Sequence, residues 1–246
     1  MRKIYTFLGP LGFVLIWWLI AAFNLADSFF FPGPKETLIA LVNLLGGDLV
    51  KDILATLSRT MQSFALATII GVPLGLLLGK AENAYRSIEF IIDFFRSTPA
   101  TALFPLFLLV FGIADASKIA AATFGGLLII LFNTAYGVIN SKKIRILAAR
   151  LAGASRWQIF RWIVFWESLP QTFVGLRNAI SLTLTIVVVT EMFVGTNVGI
   201  GRRIIDFQVV FNIPAMYAAI IAAGMMGYLL NYCLRAIEQR LVHWKQ

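Results

Sequence analysis

The feature that most constrains this chain is a series of long apolar runs, nearly free of charge, separated by short polar stretches. The hydrocarbon core of a bilayer is about 30 Å thick, so a helix rising about 1.5 Å per residue needs about 20 apolar residues to cross it. Six segments reach that length: 7–24, 55–79, 88–112, 118–140, 168–194 and 213–236. Only 13% of the residues are charged, against about 25% in soluble domains, and the mean hydropathy is +0.84. The expected fold class is therefore an all-α integral membrane protein with six transmembrane helices, residues 1–246 forming one transmembrane domain. The first run follows Arg2 and Lys3 as a signal peptide would. No small-x-small cleavage site follows it, so it reads as a retained span.

Cations set the orientation, because Lys and Arg resist translocation. With the N-terminus inside, thirteen cations fall in the cytoplasm: Arg2, Lys3, Lys80, Arg86, the six from Lys142 to Arg161, Arg235, Arg240 and Lys245. Five remain outside: Lys35, Lys51, Lys118, Arg202 and Arg203. Arg59, Arg96 and Arg177 lie within or at the edges of spans. Both termini are thus expected in the cytoplasm of a bacterial inner membrane protein, and the net charge of +9 does not point to nucleic acid. Cys233 is the single cysteine and His243 the single histidine, which excludes an intrachain disulfide and leaves no His/Cys metal cluster. No metal and no cofactor are expected.

Catalytic motifs are missing. "GLLLGKA" at Gly75–Ala81 has one residue too few between its glycines for a phosphate-binding loop and no Ser or Thr for magnesium. Gly71, Gly75 and Gly79 instead recur every fourth residue, the spacing that lets two membrane helices approach closely. Pro73 is expected to kink that helix.

Ionisable residues inside spans are costly and are functional candidates by default. Asp93 and Arg96 stand three apart in "IIDFFRSTPATALFP" and suit an ion pair on one helix face. Pro99 and Pro105 are expected to break that helix, which membrane depth tolerates only against protein or a water-filled cavity. Arg96 and Pro99 are therefore candidates for a translocation pathway. Glu191, near the outer end of span five, either faces a cavity or gate, or pairs with Arg202 or Arg203. Arg177, near the other end of that span, either snorkels to the interface or lines the pathway.

The largest cytoplasmic loop on this topology contains "RILAARLAGASRWQIFRW", Arg145–Trp162. No carboxylate lies between Asp115 and Glu167. Ile144, Leu147, Ala148 and Leu151 make one apolar helix face with Arg145 and Arg150 off it. Gly153 suits the left-handed residue that ends a helix. Ser155 and Gln158 have capping-box spacing and start a second helix through Trp157, Phe160 and Trp162. The loop, about 141–166, is expected to be helix, tight turn, helix. It either rests on anionic headgroups or docks a cytoplasmic partner.

The stretch "LAARLAGASRWQIFRWIVFWESLPQTFVGLRNAI" resembles the EAA loop of binding-protein-dependent ABC transporter permeases. The pattern of that family is Glu-Ala-Ala, three residues, Gly, nine residues, Ile, then Leu-Pro. Ala148, Ala149, Gly153, Ile163, Leu169 and Pro170 fall on it, whereas Leu147 stands where the family has Glu. "TEMFVGTNVGIGRRI" and "RSTPATALFPLFLLVFGIADASK" resemble segments of the branch importing taurine, aliphatic sulfonates, nitrate and related small solutes. The resemblance covers about residues 50–240. It implies the type I importer permease fold, with no catalytic residue of its own. It also implies coupling to an ATPase through Leu147, Ala148, Ala149, Gly153, Ala154, Ser155, Trp157 and Phe160. The implied partners are ABC ATPase subunits, a second permease copy, identical or not, and an extracytoplasmic solute-binding protein. The implied function is ATP-driven import of a small solute, such as an organic or inorganic anion, by alternating access. Two alternatives stand beside it. An ion-coupled secondary carrier would show paired internal repeats, and none is visible. A vitamin-importer scaffold would carry a short Ala-Arg-Gly-type signature, which "AARLAG" lacks at the right spacing.

Overall fold

The computed structural model describes residues 2–193 and 196–242, with side chains from Leu8 onward, and every element among them is helical. His243 and Lys245, together with Val194 and Gly195 of the glycine-rich segment, lie outside the described residues. The elements are α1 (Arg2–Ala22), α2 (Pro34–Leu45), α3 (Leu49–Lys80), α4 (Glu82–Ser97), a 3-10 turn (Ala100–Leu103) and α5 (Phe104–Phe111). They continue with α6 (Asp115–Ile139), α7 (Lys143–Leu151), α8 (Arg156–Ile159), a π segment (Phe160–Val164), α9 (Phe165–Phe193), α10 (Ile200–Val209) and α11 (Ile213–Leu241).

Four helices among the described residues are long and apolar enough to cross a membrane: α3, α6, the continuous stretch Arg156–Phe193 and α11. The bent pair of α4 and the segment Ala100–Phe111, which meet at 88°, brings the number of crossings to five if it is one span. It joins two helices that run the same way. Arg59, near the start of α3, pairs with Asp115 at the start of α6, so both helices begin at the same end and the chain between them has to return. The expected first span is a helix, but its described apolar stretch, Leu8–Ala22, is shorter than the others.

The core is a slab with α6 between α3 and α9. Phe64 and Ala67 of α3, Ile130 of α6, and Ala179 and Ile180 of α9 meet at its centre. The glycine ladder makes the α3–α6 contact possible. A Cβ on Gly75 would lie 2.6 Å from Thr134 Cβ, and one on Gly79 2.6 Å from Val138 Cβ. Pro73 sits inside α3, which runs on as one helix to Lys80.

Three expectations need correction. The break in span three lies at Thr98–Pro99 alone. Pro105 occupies the first turn of α5, where a missing N–H costs nothing, so it starts a helix and does not break one. The second loop helix does not end before span five but continues through the π segment into α9. The short helices α2 and α10 were not anticipated. Leu41 of α2 packs on Ala218 and Ala222 of α11, and Ile200 and Ile204 of α10 pack on Leu184 and Ala219.

Candidate functional site

Two polar regions lie at opposite ends of α6 and α9. The first is the hairpin of α7 and α8. Gly153 has φ +81°, and the last turn of α7 closes as a Schellman motif, with Ala154 N donating to Ala149 O and Gly153 N to Arg150 O, both at 3.0 Å. Ser155 then caps α8 reciprocally: Gln158 N donates to Ser155 Oγ (3.3 Å) and Ser155 N to Gln158 Oε1 (2.7 Å). These devices aim α8 without tertiary help, and a Cβ on Gly153 would meet open space.

The hairpin is anchored at its base. Glu167 Oε1 accepts from Arg145 Nη1 (2.8 Å) and Oε2 from Lys142 N (2.6 Å). Lys80, at the end of α3, lies 5.2 Å over the Phe160 ring, which itself stacks on Trp157 at 5.8 Å. Its tip is open and apolar: Leu147 is 52% exposed, Leu151 83% and Trp157 62%. Ala148 and Ser155 are also exposed, while Ala149, Ala154 and Phe160 are half-buried. Sequence reasoning missed Glu167. Its signal was available, because it is the carboxylate that ends a run containing six cations.

The second region is an ion network with a buried centre and an exposed edge at Asp115. Glu191, fully buried, pairs through Oε1 with Arg59 Nη1 at 2.7 Å. It also accepts from Thr56 Oγ1 (2.8 Å) and Gly201 N (3.1 Å). Arg59 Nε lies 2.9 Å from Asp115 Oδ1, its Nη1 also donates to Val198 O, and its Nη2 donates to Thr196 Oγ1. Lys118, almost wholly buried, sits 3.7 Å from the same Asp115 oxygen. Asp52 completes the set, accepting from Gly199 N (2.9 Å) and pairing with Arg203 Nε (2.6 Å). Three carboxylates thus face three cations across α3, α6, α9, α10 and the segment 196–199. The expected pairing of Glu191 with Arg202 or Arg203 is wrong. Arg203 binds Asp52, and Arg202 binds Asp206 within α10 at 2.9 Å. Gly199 (φ +150°) must be glycine, since a Cβ there would lie 2.6 Å from the Glu191 carboxyl carbon. The sequence signal was the seven-residue spacing of Asp52 and Arg59, which sets both on the buried face of α3.

The remaining candidates are separate. Arg96 lies 3.4 Å from Asp93 and stacks 3.9 Å over the Phe132 ring, with Pro99 at the bend just beyond. Arg177 is half-buried and pairs with Glu238 of α11, 3.1 Å away.

The family described as binding-protein-dependent transport system inner membrane component matches residues 71–244. A probable ABC transporter permease of Brucella abortus (strain 2308) is 31% identical over 231 residues, 94% of this chain and 91% of that protein. The taurine transport system permease of Escherichia coli (strain K12) is 27% identical over 250 residues, 99% of this chain and 90% of that protein. Among solved structures, the MetNI methionine ABC transporter in an inward-facing conformation superposes with a TM-score of 0.68 at 22% identity, over 78% of this chain and 95% of that chain. The likeness to it is one of fold.

Proposed function

Since the chain belongs to the family of binding-protein-dependent transport system inner membrane components, we propose that its α7–α8 hairpin is the surface through which an ATPase drives it. The protein is the permease subunit of an ABC importer in the inner membrane, a transport component whose ATP hydrolysis resides in a separate subunit. It is neither an ion-coupled carrier nor a vitamin-importer scaffold. Leu147, Ala148, Ala149, Gly153, Ala154, Ser155, Trp157 and Phe160 form the docking element. The hairpin faces the cytoplasm, as do both termini, and the ion network lies at the outer end.

The observation that carries this reading is the apolar, exposed tip on a rigidly capped, charge-anchored base. A hairpin resting on headgroups needs no fixed angle between its helices, whereas one that transmits force does. A second permease copy completes the pathway, and the outer solute-binding protein supplies it. ATP bound between two ATPase copies favours the arrangement with the hairpins drawn together, and differential affinity for the two arrangements supplies the driving free energy. The cargo is a small solute that carries an oxyanion group, as taurine carries a sulfonate.

Single cysteines test the orientation. In a Cys233→Ser background, an impermeant thiol reagent should label Asn140→Cys and Asn212→Cys, both exposed positions, from opposite sides. Labelling of both from one side contradicts the proposed topology. Copurification of an ABC ATPase with the wild-type permease from its native cells tests the partnership.

A further inference from the structure

We infer that a polar cleft between the hairpin-side halves of α9 and α11 is an oxyanion site of the permeation pathway, an inference that rests on the importer reading above. The cleft holds about 340 Å³ and is lined by Arg177, Asn178, Tyr228, Asn231, Tyr232 and Arg235. Each of these side chains is polar, in a chain that is 59% hydrophobic. A water takes about 30 Å³, so a small oxyanion fits with part of its hydration shell.

The chemistry of the lining selects the sign of the ligand. No carboxylate is among the lining side chains, and Arg177 is bound to Glu238, so that pair is neutral. Arg235 is exposed and forms no ion pair with any described residue, which leaves one positive charge in excess. The Tyr228 and Tyr232 hydroxyls and the Asn178 amide also make no hydrogen bond to a described residue. Asn231 Nδ2 donates to Ser181 Oγ (2.7 Å) and Gly227 O (3.1 Å), which fixes its side chain and braces α11 against α9. Guanidinium, amide and phenol donors around one excess charge suit a sulfonate, phosphate or nitrate group.

Position favours a solute over a lipid headgroup. Asn178, Ser181 and Thr185 are exposed along one face of α9, so polar character continues from the cleft toward the membrane interior. The Ser181 and Thr185 hydroxyls donate back to their own helix, but the Asn178 amide has no such outlet. Facing hydrocarbon would leave it unsatisfied, whereas an aqueous path would not.

The test uses the whole permease in nanodiscs of phosphatidylcholine, with methanesulfonate as probe and dimethyl sulfone as its neutral isostere, read by saturation-transfer NMR. Wild type should give a methanesulfonate signal with little from dimethyl sulfone. A charge-assisted hydrogen bond of about 1.5–3 kcal/mol is lost in Arg235→Gln, so apparent affinity should fall about tenfold or more, and Arg235→Lys should recover most of it. Equal methanesulfonate binding by wild type and Arg235→Gln, or none by wild type, overturns the site. In nanodiscs containing phosphatidylglycerol, native mass spectrometry gives the second arm. Loss of bound phosphatidylglycerol in Arg235→Gln with methanesulfonate unaffected would make the cleft a headgroup site and overturn the pathway assignment. Copurification of the ATPase with wild type reports on the importer reading separately, so the two can fail independently.

Discussion

The ion network and the hairpin are both polar interruptions of an apolar chain, yet they are built in opposite ways. In the network, Glu191 is fully buried and Arg59 nearly so, and three carboxylates answer three cations across five chain segments. In the hairpin one carboxylate, Glu167, answers six cations, and Leu147, Leu151 and Trp157 stand out from the surface. Burial explains the difference. A charge taken out of water must be paired, because an unpaired ion there costs several kcal/mol, whereas solvated cations can stay unbalanced until a partner arrives. The network therefore reads as a clamp that holds the segment 196–199 on the ends of α3 and α9 away from the hairpin. On the proposed function, the hairpin is a surface left open for another protein.

The largest effect expected from this contrast is in the network. Arg59→Leu leaves Glu191 buried beside Thr56 and should cost about 3–5 kcal/mol, read as a lower melting temperature of the purified permease. Arg59→Leu combined with Glu191→Leu should recover much of that loss, since a matched apolar pair avoids the stranded charge. A single variant as stable as wild type would mean that Glu191 is hydrated despite its burial and that the contrast with the hairpin is false.

Leu147 comes next and should leave permease stability unchanged. Leu147→Ala removes apolar area from the docking face and should cost up to about 1.5–3 kcal/mol of ATPase affinity. Leu147→Glu should weaken binding further by placing a carboxylate in an apolar groove. The measurement is ATPase recovered at matched permease levels. If Leu147→Glu recovers as much as wild type or more, the partner has kept a counterpart for the family's acid at this position.

Gly153→Val is expected to have the smallest energetic cost and the most specific consequence. A left-handed residue with a Cβ costs about 1–2 kcal/mol, and no neighbour clashes with it. The permease should insert and melt only a few degrees below wild type while transport per ATP hydrolysed falls, because α8 is re-aimed. Unchanged coupling would reduce the hairpin to a membrane-surface element.

What the sequence made legible follows the same divide. The hairpin was readable because its determinants are local: Gly153, Ser155 and Gln158 lie within six residues and act on their own backbone. Pro99 was readable for the same reason. Pro105 was misread because a proline in a first turn begins a helix as readily as one in the interior ends it. The partner of Glu191 was out of reach: Arg59 lies 132 residues away, while Arg202 and Arg203 were near in sequence. The helices α2 and α10 are too short and mixed in composition for a span-length reading to register.

The central claim is that the hairpin, and not the ion network at the opposite end, meets the ATPase. A photocrosslinking amino acid at Trp157 tests it most directly, with the same residue at Asn197 as the comparison, since both positions are exposed. Irradiation of cells should join the ATPase to the Trp157 variant and not to the Asn197 variant, with the Trp157 product diminished by Gly153→Val. ATPase adducts at Asn197, or none at Trp157 while the complex still copurifies, would contradict the account.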